Sequence, residues 1–125
     1  MKTAKNSILA FLILILGACS GSDAYQGMWK ATNEAGEHLD IEFGENDLFI
    51  TQESKTEQYQ YSQNSINISN GVKTYGITLS DGRSFQIQFP IKGDESKGAM
   101  LDSNGRAVFI INRDDYIGYK EVYGL

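Results

Sequence analysis

The chain has one cysteine, one proline, one histidine and one tryptophan in 125 residues, and each scarcity narrows what the protein can be. A single cysteine cannot close an intramolecular disulfide. The staples of many small exported domains are therefore missing, and the fold must rest on buried apolar side chains. The single histidine, His38, would have to serve any histidine-based triad or general base, and no nucleophile motif accompanies it. At the start of an expected strand it reads as a surface or rim residue. A zinc site would need several His or Cys ligands, which the chain does not supply. The apolar run Ile8–Leu16 is nine residues long, against the roughly 17–25 that a membrane-spanning helix needs. Clusters of basic residues are absent too: Lys30, Lys55, Lys73, Arg83, Lys92 and Lys97 are scattered, and the net charge is −5. A chain of that balance repels nucleic acid and anionic head groups, which excludes nucleic acid as a partner.

What is present begins with the N-terminus. Met1–Ser7 contains Lys2 and Lys5, the apolar run follows, and the small pair Gly17-Ala18 ends it. That is the shape of a secretory signal with a small-residue cleavage site. Leu16-Gly17-Ala18-Cys19 resembles the lipobox of bacterial lipoprotein precursors: an aliphatic residue, two small ones and the obligatory cysteine. The resemblance implies a leader over 1–18, cleavage before Cys19, and diacylglycerol and N-acyl chains on Cys19 as the only attached group, with no other cofactor. Ser20 after the cysteine points to the outer membrane, facing the periplasm or the cell surface. Two or three acyl chains anchor stably where one is marginal. An ordinary cleaved signal with Cys19 as an unmodified thiol is the alternative. Residues 19–26 then read as the lipidated cysteine and a small, polar tether, and residues 27–125 as one domain. Seven tether residues reach at most about 25 Å, which holds the domain close to the membrane.

The domain reads as all-β. Leu39, Ile41 and Phe43 alternate with Asp40 and Glu42, and Phe85, Ile87, Phe89 and Ile91 alternate with Ser84, Gln86 and Gln88. Each series has one face to bury. Tyr75, Ile77 and Leu79 form another, and Leu48–Ile50, Tyr59–Tyr61 and Ile66–Ile68 form shorter ones. Met28–Asn33 and Val108–Ile111 read as first and last strands. Asn70-Gly71, Asp81-Gly82 and Asn104-Gly105 suit type I′ hairpins, whose two central residues have positive φ. Pro90 marks an edge or a bend. About eight or nine short strands without an intervening helix predict an antiparallel meander closed as an up-and-down barrel, with a two-sheet sandwich as the alternative. Asp114 or Asp115 would cap a short helix in the tail, and Tyr116, Tyr119 and Tyr123 would pack across one end of the barrel.

Gly27-Met28-Trp29 resembles the G-x-W motif that opens the first strand of lipocalins and related calycin barrels. In that family the Trp packs at the closed end against an Arg from the end of the last strand. The resemblance thus implies a contact between Trp29 and Arg113, both structural residues. Glu34, Glu37, Asp40, Glu42, Glu45 and Asp47 form an acidic belt, but its spacing fits no EF-hand loop and Asp40 and Glu42 mark a solvent face. Tyr59, Tyr61, Tyr75, Phe85 and Phe89 are the remaining functional candidates: in a hollow barrel they line a pocket for an apolar ligand, and in a filled one they are the core. The leading expectation is a non-enzymatic, membrane-anchored envelope lipoprotein acting through a protein partner in an accessory, inhibitory or exclusion-type role. The second is a lipocalin-like carrier of a small hydrophobic molecule, favoured if the barrel holds a cavity.

Overall fold

Three alternating apolar side chains give Leu39, Ile41 and Phe43 one face to bury, and the computed structural model, which describes residues 24–124, turns that face inward. The same holds around the whole sheet. β1 (Gly27–Asn33), β2 (His38–Phe43), β3 (Asp47–Gln52), β4 (Lys55–Ser69), β5 (Val72–Leu79), β6 (Ser84–Phe89), β7 (Lys97–Leu101) and β8 (Ala107–Asn112) are joined in order. They form a closed antiparallel barrel in which β8 pairs back onto β1. Closure leaves the sheet without first and last edge strands. Ile41, Ile77 and Ile87 are fully buried inside, each worth about 1.5–3 kcal/mol relative to an exposed position.

Two strands differ from the sequence expectation. Tyr59–Tyr61 and Ile66–Ile68 belong to one strand, β4, of 15 residues. A register shift between Gln63 and Ser65 moves the inward parity from odd to even residues, and that change of phase mimics a break. β7 shows no alternation at all. Its Ala99, Met100 and Leu101 are all buried because both of its faces are covered.

The outer cover is the tail. After β8 the chain runs along the outside of the barrel to a short helix, α1 (Tyr119–Tyr123), whose Val122 packs on Ala99, Leu101 and Ile110. Its N-terminal cap is Gly118, not Asp114 or Asp115. The tail tyrosines lie on the outer wall rather than across an end. Tyr116 stacks on His38 at 4.1 Å with a 3° interplanar angle and donates to Asp40 Oδ1 at 2.6 Å. Tyr123 donates to Gln88 Oε1 at 2.8 Å.

The turns also separate from expectation. Asn70-Gly71 is a type I′ turn, with φ of 54° and 81°. Asp81-Gly82 and Asn104-Gly105 are not, since only their glycines have positive φ. The other two-residue turn with both φ positive is Glu53-Ser54, at 52° and 70°, a pair with no glycine to announce it. Among the described residues no helix is long and apolar enough to cross a membrane.

Candidate functional site: a barrel filled at one end

In a meander the loops alternate between ends. The β2–β3, β4–β5 and β6–β7 loops surround the end where the chain enters at Gly27, and the other four loops surround the opposite end. The entry end is filled with aromatic rings. Tyr25 is 1% exposed although it lies in the stretch read as tether. Its ring meets Phe43 edge-on at 5.3 Å and Tyr75 at 5.2 Å. Trp29 lies 5.8 Å from Phe89, and its Nε1 donates to the Tyr25 carbonyl at 2.6 Å.

Arg113 seals this end. Its guanidinium carbon sits 3.7 Å from the centroid of the Trp29 ring. Nη1 donates to the Met28 carbonyl at 2.9 Å, and Nη2 to the carbonyls of Ala24 at 2.9 Å and Gln26 at 2.7 Å. Burial lowers the Arg113 pKa because the charged form loses water; the carbonyls and the ring face offset that cost. Gly27 is required here for two reasons: its φ is +106°, and a Cβ would lie 2.9 Å from Arg113 Nη1.

The opposite end is not sealed by rings, although Leu39, Leu48, Leu79 and Met100 beneath it are themselves buried in the core. A cavity of about 760 Å³ opens between the loops there, with Leu39, Leu48, Ile50, Leu79, Met100 and Phe109 forming its inner wall. Tyr59 and Phe85 stand nearer the mouth, with Glu34, Glu53, Lys55, Glu57 and Arg83 on the rim. The structure therefore divides the five aromatic candidates. Tyr59 and Phe85 line the cavity, whereas Tyr61, Tyr75 and Phe89 are buried in the packed half. The reason is size: the bulky residues Trp29, Tyr25, Tyr75, Phe43 and Phe89 gather at one end, and mainly aliphatic side chains remain for the other.

Arg83 caps the mouth. Its guanidinium lies 5.1 Å from the Tyr59 centroid and 5.9 Å from that of Phe85, and it pairs with Asp81 at 2.8 Å. Tyr59 donates to Glu57 Oε1 at 2.7 Å, a bond that raises the Tyr59 pKa. Deeper in, burial raises the Tyr61 pKa well above the ordinary phenol range, and its hydroxyl donates to the Gly44 carbonyl. The arrangement offers an apolar chamber with a few polar groups at its entrance, within the roughly 300–1,000 Å³ typical of small-molecule sites.

Other candidates are dispersed. His38 sits on the outer wall against Tyr116, away from the cavity. The acidic belt dissolves into separate contacts: Glu37 accepts from Asn33, Asp40 from Tyr116, Asp47 from Gln58, and Glu34 pairs with Arg106. No three His, Cys, Asp or Glu side chains converge as a metal site among the described residues. Cys19 lies outside the described residues. No family model, curated protein or solved structure matches the chain.

Proposed function

We propose that this protein is a non-enzymatic, lipid-anchored envelope barrel that holds a small apolar or amphipathic molecule in its open half. The observation that carries the reading is the cavity itself, apolar at depth and polar at the rim, opposite an end that Trp29, Tyr25 and Arg113 fill and close. Of the two roles the sequence suggested, carrier and protein-contact domain, an open cleft with an apolar floor supports the carrier. Anchoring through Cys19 rests on the lipobox resemblance, and with the brief tether it places the domain against a membrane, a source of apolar ligands.

Titration with N-phenyl-1-naphthylamine, a neutral apolar fluorophore, tests the chamber. The wild-type chain binds one equivalent saturably. Ile50→Trp puts an indole into the void from the wall of β3 and weakens binding by about tenfold or more, a loss of about 1.4 kcal/mol or more, while the far-ultraviolet circular dichroism stays unchanged. Equal binding by the two proteins would remove the cavity from the account. For the anchor, a Cys19→Ser variant leaves the membrane fraction on a carbonate wash, and one that stays there contradicts lipidation.

A further inference from the structure

β3 pairs with β4 only from Lys55 to Gln60, and the N–H of Tyr61 then reaches the Asn46 carbonyl. From Ser62 to Ser69, β4 is paired to β5 on one side, and among the described residues it has no backbone partner on the other. Every residue in that stretch is exposed, including Ile66 at 42% and Ile68 at 62%. Free edges of this length are ordinarily protected by charge, proline or a covering element. Here Gln58–Ser69 contains no Asp, Glu, Lys, Arg, His, Pro or Gly.

We infer that this edge pairs with the same edge of a second copy of the chain, making a two-fold symmetric dimer through β4. Two arguments select a second copy. The first is charge. The chain is acidic, so two copies repel over most of their surfaces, whereas this segment is neutral. Lys73, opposite Ile68 on β5, is already neutralised by Glu95.

The second is self-complementarity. A type I′ turn at Asn70-Gly71 makes Ser69 and Val72 a hydrogen-bonded pair, and antiparallel alternation then turns the N–H and C=O of Ile68 and Ile66 outward. With the two-fold axis at Asn67, Ile66 faces Ile68 of the second copy and Ser65 faces Ser69 of the second copy. The outward groups of Ile66 and Ile68 meet each other in hydrogen-bonding register, and the isoleucines share one face of the joined sheet. An isologous contact requires this kind of match of a segment with itself.

The test uses the full chain with Cys19→Ser, leaving no other thiol, and Asn67→Cys as reporter in mild detergent. Asn67 occupies a non-hydrogen-bonded position in the dimer, where opposed Cα atoms lie about 4.5 Å apart, within the span a disulfide bridges. Mild oxidation yields a disulfide-linked dimer, while Ser103→Cys at the opposite end of the barrel yields little. By sedimentation, the Cys19→Ser chain is dimeric, and Ile66→Lys with Ile68→Lys raises the dimer dissociation constant at least tenfold. A monomer at all concentrations, or equal crosslinking at positions 67 and 103, overturns the inference. So does crosslinking of position 67 to another protein, or to a second thiol placed at Ser22, which would mean that the chain's own N-terminal segment covers the edge.

Discussion

Replacing Arg113 with alanine should cost the protein far more than removing any other arginine. The side chain holds three carbonyls of the entering chain, from Ala24, Gln26 and Met28, and covers the Trp29 ring. A cation over an indole contributes about 0.5–2 kcal/mol, and a hydrogen bond to a charged group roughly 1.5–3. These terms do not add, because water can reach part of the vacated site and burial of the guanidinium is itself unfavourable. A loss of about 2–4 kcal/mol is expected, read from urea midpoints at constant slope. Trp29, the chain's only tryptophan, reports the event by its fluorescence. Arg113→Lys retains a cation near the ring but cannot fork to three carbonyls, so it falls between wild type and alanine. Arg106→Ala is the comparison: that side chain is 69% exposed and pairs with Glu34, an interaction worth about 0–1 kcal/mol. Equal losses for Arg113→Ala and Arg106→Ala would refute the claim that Arg113 closes the barrel.

Two further outcomes follow from the same structure. Glu37, through Asn33 and then Gln52, Asp81, through Arg83, and Asp94, through Ser96, are all held below the ordinary carboxylate range. A depressed folded-state pKa gives stability that is present above the unfolded value and lost as pH falls through the folded one; urea midpoints should decline below about pH 4, less so in Asn33→Ala. Gly98→Ala places a Cβ against the Gln88 carbonyl and 2.9 Å from Phe89 Cδ1, and backbone cannot swing aside, so about 1–3 kcal/mol is lost; a melting temperature within about 2 °C of wild type would contradict this.

How much of this was legible in the sequence depended on whether a strand has one wet face. β2 and β6 announce themselves because water lies on one side and the core on the other. β7 does not, because α1 covers its outer face and removes the reason for alternation. In β4 both halves alternate, yet the bulge between Gln63 and Ser65 reverses the parity, and a change of phase reads as a gap. The contact of Trp29 with Arg113 was readable because a motif places both residues at the ends of adjacent strands. The cavity was not, because alternation says which side chains point inward but not whether together they fill the space. Filling depends on how side-chain volumes stack from layer to layer, which is a property of the closed barrel. It depends here also on Tyr25, which lies outside every strand and whose polar surroundings read as linker. The free edge is the converse case. Within Gln58–Ser69 the series Tyr59–Tyr61 and Ile66–Ile68 read as two ordinary short strands, and only pairing on one side gives the segment's lack of charge a meaning: a segment without charge in an acidic chain is where another acidic surface can approach.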